Sequence, residues 1–297
     1  MWDYPLCRSR RDFLRGGVES AVGLAAASIV AQSSVRAAQA DRFELSIHQF
    51  SVKKLMDSGQ LDTASYPEFV KDQFGFTNIE FAVDFCDDLR ADSEKCDAIR
   101  NRSRQLGIKH RALLCGSEPL DAPSEKDRAA ALAVHLQWAK VAEHLGCEFM
   151  RVRAISEGDK DQQLDNAAEG IGALCDALKD SPVSILLENI TNCSSDPDWL
   201  VELVNRLGPK RVGLIADFGN FEGDIYDGMQ RLLPYTKSVC TKSWDFDADG
   251  NETKIDFKRM MGLVKDSPFH GCIAIEYLGD EPVAGVRKTA ALIKRYT

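Results

Sequence analysis

The chain has 297 residues, with 37 basic and 46 acidic side chains and a formal net charge of −9. An acidic surface repels a phosphate backbone, which argues against a nucleic acid as partner. The nine cysteines show no C-x-x-C zinc spacing, and beyond residue 40 no segment is long and apolar enough for a spanning helix.

The first forty residues read as an address. Ser9-Arg-Arg-Asp-Phe-Leu-Arg15 is a twin-arginine pattern, residues 16–31 are weakly apolar and rich in Ala and Gly, and Ala38-Gln-Ala40 is a small-x-small cleavage site. The expectation is a mature chain from about Asp41, exported folded to the periplasm by the twin-arginine route, with no stable membrane association after cleavage. An uncleaved anchor is the alternative; the apolar stretch is short for it and no lipobox cysteine follows. Loss of residues 1–40 would leave 32 basic and 43 acidic side chains, a net charge of −11. Residues 41–297 have the length of a single α/β barrel. Cys86 and Cys96 could pair in an oxidising compartment, but spacing does not establish connectivity. Cys115, Cys147, Cys175 and Cys272 sit inside apolar runs, where a thiol behaves as a small hydrophobe.

From Phe43 onward short β-like runs alternate with longer helix-like ones. Strands are predicted over 44–50, 77–82, 108–115, 148–154, 183–189, 212–217, 238–242 and 272–277. A helix over Ser124 to Leu145 is predicted from the apolar face of Ala131, Val134, Leu136, Trp138, Val141 and Leu145. Gly107 and Gly146 each follow a Leu and read as helix ends. Strict alternation implies parallel strands with helical crossovers, and eight units imply a (β/α)8 TIM barrel. An open doubly wound sheet is the rival, but no G-x-G-x-x-G turn follows the first strand.

In such a barrel the chemistry lies at the carboxyl ends of the strands. Three runs close there on an acid: Glu188 in Ile185-Leu-Leu-Glu-Asn, Asp217 in Gly213-Leu-Ile-Ala-Asp and Glu276 in Cys272-Ile-Ala-Ile-Glu-Tyr. An unpaired buried carboxylate costs several kcal/mol (about 3–5 when its partner is removed). A shared metal ion would offset that cost. Hard oxygen donors suit Mn²⁺ or Mg²⁺, and a softer ligand from strand seven would shift the set toward Co²⁺ or Zn²⁺. Each acid alone could be a helix cap or a loop salt-bridge partner.

Alternation along the other strands nominates His48, Glu80, His110, Arg151 and Arg153, and Cys240 with Lys242, as facing the same mouth. Each has a plainer reading: a satisfied core histidine, an arginine balancing nearby acids, or Lys242 bridged to Glu188 or Asp245. Asp245-Phe-Asp-Ala-Asp-Gly-Asn-Glu252 looks like a calcium loop, but its twelfth position is Asp256 rather than a bidentate Glu. A loop over the active site is the expected role.

Leu187-Glu-Asn189, Ala216-Asp-Phe-Gly-Asn220, Thr241-Lys-Ser-Trp-Asp-Phe-Asp-Ala-Asp-Gly-Asn-Glu252 and Ile275-Glu-Tyr277 together bring a family into view. Over nearly all of residues 43–296 the chain resembles the xylose isomerase-like barrels of sugar phosphate isomerases/epimerases, which include ketose 3-epimerases and inosose dehydratases. The resemblance implies a divalent metal held by Glu, Asp, His and Glu from strands five to eight, hence by Glu188, Asp217 and Glu276 here. The expected strand-seven His is replaced by Cys240, which is either a thiolate ligand or a space-filling thiol with water completing the shell. Asn220 stands where epimerases often carry a substrate-facing His.

The chemistry so implied is metal-dependent isomerisation or epimerisation of a keto sugar or polyol through an enediolate. Glu188 and Glu276 would move the proton and Lys242 would stabilise the enolate. His48, Glu80, His110, Arg151, Arg153 and Asn220 would contact a small carbohydrate substrate. The alternatives are a lyase eliminating from a 3-keto glycoside or inosose, and a sugar-binding barrel without catalysis. A homo-oligomer is compatible with either.

Overall fold

Parallel strands covered on both faces read as unbroken apolar runs, and here each such run becomes a barrel stave. The structure is a computed structural model that describes residues 42–116 and 118–297. The twin-arginine pattern and the cleavage site lie outside the described residues. The element order is β1 (Phe43–His48), α1 (Lys53–Asp57), α2 (Tyr66–Phe74), β2 (Asn78–Ala82), α3 (Ser93–Gln105), β3 (Lys109–Leu114), α4 (Glu125–Leu145), β4 (Phe149–Val152), α5 (Lys160–Ala177), β5 (Ser184–Glu188), α6 (Pro197–Leu207), β6 (Val212–Asp217), α7 (Ile225–Leu232), β7 (Thr236–Ser243), α8 (Phe257–Asp266), β8 (Gly271–Tyr277) and α9 (Pro282–Tyr296). The eight strands close in sequence order into a parallel barrel. Ser51, just past β1, ties to β8 by donating to the Ile275 carbonyl at 2.8 Å and accepting from the Tyr277 N–H at 3.0 Å.

The helices start on short polar side chains that accept their first free N–H groups. Ser124 accepts from Asp127 at 3.1 Å to open α4, and Asp92, Asp159, Asp196, Asp224 and Asp256 do the same for α3, α5, α6, α7 and α8. Five of the chain's 46 acidic side chains thus cap helix starts. Gly146 ends α4 with φ of 74°, the left-handed geometry that glycine adopts freely.

Ala82, Ala112, Leu114, Leu186, Ile215 and Cys240 form an apolar cluster inside the barrel, with Phe50, Phe85 and Phe149 packed against it. Two register irregularities shape this interior. On β3, Ile79 pairs with His110 but Glu80 with Ala112, so Arg111 is an extra residue. On β7, Leu214 pairs with Thr236 but Ile215 with Ser238, so Lys237 is passed over. A one-residue bulge moves every side chain on one side of it to the opposite face. The β3 bulge therefore corrects the expectation for His110. Its ring lies outside the barrel, where Nδ1 donates to the Leu145 carbonyl at 2.8 Å and Nε2 stands 2.7 Å from the Ser103 hydroxyl. Burial lowers its pKa to about 4, as befits a neutral core imidazole.

Glu80 does face inward, level with His48 across the β1–β2 ladder. Ser46, two residues before His48 on β1, donates to its Oε1 at 2.7 Å. All eight described cysteines are free and buried, Cys86 and Cys96 among them. No helix among the described residues is long and apolar enough to cross a membrane.

Two outcomes follow from this packing. A Cβ at Gly170 of α5 would fall 1.8 Å from the backbone carbonyl oxygen of Leu120. Gly170→Ala should lower the free energy of urea unfolding by about 1–3 kcal/mol, the usual cost of overpacking. Glu80 has a different signature. Burial raises its carboxyl from 4.5 to about 7, against the Ser46 hydrogen bond. The folded chain then keeps a proton that the unfolded chain releases near 4.5, so stability is full below that pH and falls as pH rises to 7. The stability of Glu80→Gln relative to the parent should grow between those pH values by about 3 kcal/mol at most, measured by urea unfolding across the range.

Candidate active site

The carboxyl ends of β5 to β8 bring the three strand-closing acids to one place. Glu188 pairs across the ladder with Ile215, Asp217 with Cys240, and Lys242 with Glu276. On β7 the inward positions are Cys240 and then Lys242, so the lysine rises between Asp217 on one side and Glu276 on the other. Asp217 is fully buried, and Glu188 and Lys242 nearly so.

Each acid has a cation from the protein beside it. Arg151 of β4, itself buried, donates through Nη1 to Glu188 Oε2. Lys242 Nζ stands 3.2 Å from Asp217 Oδ2 and 3.2 Å from Glu276 Oε2. Its third contact is the Asn220 Oδ1, 2.9 Å away. The Lys242 ammonium is the stabilised form, its pKa raised because the pull of Asp217 and Glu276 outweighs burial. Burial pushes the Asp217 carboxyl up to about 7, with Glu276 and Glu188 adding to the rise and Lys242 opposing it.

Backbone contacts hold the acids in place. Gly219 N–H donates to Asp217 Oδ1 at 2.7 Å. Asn189, next to Glu188, accepts from the Asp217 N–H at 2.8 Å and donates to the carbonyls of Asp217 at 3.0 Å and Asn220 at 3.2 Å. This asparagine locks β5 to the turn that carries Asp217 and Asn220. The sequence offered its position in the Leu187-Glu-Asn189 motif but not that role.

His48 closes the mouth from β1, with Nδ1 3.8 Å from Glu276 Oε1. Burial, together with the positive charge of Arg151, drives its pKa down to about 3. The contact is therefore between a neutral imidazole and a carboxylate, not an ion pair, and Nδ1 has no hydrogen-bond partner. Arg153, over Gly116, has no ion pair among the described residues, and its Nε lacks a partner. Burial and the nearby Arg151 lower its pKa to about 10.

His48, Arg151, Arg153, Asn220, Cys240 and Lys242 thus gather with the three acids, whereas Glu80 turns to Ser46 and His110 lies outside the barrel. Lys242 bridges Asp217 and Glu276 rather than the expected Glu188 or Asp245. The 245–252 segment turns back on itself, with an antiparallel bridge between Phe246 and Glu252. Asp247 accepts from the N–H groups of Asp249 at 3.0 Å and Asn251 at 2.8 Å. Glu252 accepts from Lys254 and Ile255 N–H groups at 2.6 and 2.5 Å, so both carboxylates are used in shaping the turn.

A divalent ion is compatible with part of this set. Glu188, Asp217 and Cys240 each offer a donor atom, all within 4.8 Å of one another. Asp217 Oδ2 is buried without a hydrogen bond, as a cation-binding oxygen would be. Two carboxylates and a sulfur suit a borderline divalent ion. The thiol is the weakest member, because burial and Glu276 raise its pKa well above the ordinary value and it donates to Glu276 Oε2 at 3.6 Å.

Similar folds are known. A crystal structure of the IolI protein with a bound zinc atom is matched with a TM-score of 0.71 at 16% identity, over 86% of this chain and 99% of that one. D-psicose 3-epimerase in the presence of D-fructose is matched with a TM-score of 0.64 at 13% identity, over 85% and 96%. A probable 3-DHS dehydratase, AsbF, from Bacillus anthracis gives 0.65 at 15% identity, over 84% and 98%. No curated protein matches the chain in sequence. The family model described as xylose isomerase-like TIM barrel matches residues 68–296. With that match spanning most of its length, the chain belongs to the xylose isomerase-like TIM barrel family.

Proposed function

We propose that this protein is a sugar isomerase or epimerase that moves a proton at a carbon beside the carbonyl of a small polyhydroxylated substrate. The observation that carries this reading is the placement of Glu188 and Glu276 at one mouth, three strands apart round the barrel, with the Lys242 ammonium beside Glu276. Two carboxylates so placed can take a proton from one carbon and return it to another face or to the neighbouring carbon. Arg151 fixes the orientation of Glu188 by its direct hydrogen bond. Lys242 can donate to the oxygen on which negative charge develops when the C–H proton leaves. His48 Nδ1, Asn220 Nδ2 and Arg153 Nε are without hydrogen-bond partners and suit the hydroxyl groups of a carbohydrate. A divalent ion held by Glu188, Asp217 and Cys240 would supply Lewis-acid polarisation of the carbonyl in place of the Lys242 ammonium.

The epimerase among the similar folds supports this reading, and the dehydratase supports a second one. The second is β-elimination, in which one of the two carboxylates takes the C–H proton and passes it to the departing oxygen, which leaves as water or an alcohol, while neutral His48 holds that oxygen by a hydrogen bond. The twin-arginine pattern favours a free sugar over a phosphorylated one, since sugar phosphates are mostly retained in the cytoplasm.

The test is solvent exchange. In D₂O the protein should place deuterium beside the carbonyl of at least one keto sugar or keto polyol, read by NMR. Glu188→Gln and Glu276→Gln should each slow that exchange by about 100-fold or more. Exchange accompanied by loss of water or of a glycosidic group would select the lyase. Binding without exchange or elimination would leave only a sugar-binding barrel.

A further inference from the structure

A buried ammonium is costly unless opposite charge is paired with it. Lys242 is so paired, with ion-pair contacts to Asp217 Oδ2 and Glu276 Oε2, each at 3.2 Å, and a hydrogen bond to Asn220 Oδ1 at 2.9 Å. Its stem also has a built path. A Cβ at Gly219 would stand 3.2 Å from Lys242 Cδ and 3.2 Å from the Trp244 ring, so the absence of a side chain there gives the lysine and the indole room. The third acid is covered as well, since Glu188 is bound to Arg151. No carboxylate of the trio therefore stands without a cation.

We propose that Lys242 is the resident cation of this site and that a divalent ion binds Asp217 only by displacing it. Both cannot sit on Asp217 Oδ2 at once, because like charges a few ångströms apart in a buried site repel strongly. Cys240 reinforces the preference. It occupies the β7 position directly across from Asp217, where it packs in the apolar cluster and points its thiol at Glu276. A neutral thiol adds no charge to draw a metal in. Weak metal binding by the parent chain and tight binding once the ammonium is gone both follow. This holds whichever reaction the site performs, and the test reads binding rather than turnover.

Mn²⁺ and, separately, Zn²⁺ would be titrated calorimetrically into the full-length metal-free chain and into Lys242→Met, with thermal melts of each. The parent should bind either ion only weakly and show little rise in melting temperature at millimolar Mn²⁺. Lys242→Met, left with two uncompensated acids, should bind at least tenfold tighter and melt markedly higher with the ion, since a ligand of the folded state stabilises it. Adding Asp217→Asn to Lys242→Met should abolish the gain. Should the Met variant fail to fold, Lys242→Gln keeps much of the length and a donor, and carries the same expectation. Tight binding by the parent would overturn the proposal, as would a folded Lys242 variant that binds no better than the parent.

Discussion

One ammonium group shared between two buried carboxylates governs the barrel mouth. Three acids at the ends of neighbouring strands would repel one another in a site of low polarity, and the fold would pay for each unpaired one. Lys242, rising from β7 between Asp217 and Glu276, settles two of them, and Arg151 settles the third at Glu188. The register makes this pairing unavoidable: Asp217 lies level with Cys240, and Lys242, two residues on, lies level with Glu276. The side chain on β7 thus decides what kind of cation the acids hold.

The remaining groups divide into those that fix the acids and those whose nitrogens stand without hydrogen-bond partners. Asn189 and Gly219 fix Asp217 by backbone contacts. His48, kept neutral by burial and by Arg151, and Arg153, without an ion pair among the described residues, line the same mouth with unpaired nitrogens. A neutral imidazole next to a carboxylate offers a hydrogen bond without altering the charge balance. Beneath them lies the apolar cluster that includes Cys240.

The barrel was largely legible in the sequence because parallel strands buried on both sides read as apolar runs, and each of the eight predicted runs overlaps a strand. Their ends were less legible. The first run, predicted to reach residue 50, leaves the strand after His48, where the chain turns into a short helical segment. The fourth, predicted to reach residue 154, stops at Val152. The acids at 188, 217 and 276 could be placed because a charge at the end of an apolar run is conspicuous. His110 could not, because alternation carries a residue to the right face only while the register is unbroken, and the extra Arg111 on β3 breaks it. The partners of Lys242 were equally hidden, since which side chains meet across a barrel depends on the stagger of its strands, and the β7 irregularity at Lys237 sets that stagger. Glu80 was given the right face, but alternation says nothing about which hydroxyl a carboxylate will turn toward, here that of Ser46.

The most direct test is crystallographic. Crystals of the protein prepared without metal, and others soaked in excess Mn²⁺, would be compared at the barrel mouth, with anomalous scattering to locate the ion. The expected result is Lys242 Nζ between Asp217 and Glu276 without metal, and a manganese peak only where that ammonium has swung away. A manganese peak bound to Asp217 with Nζ still in contact with both carboxylates would contradict the account.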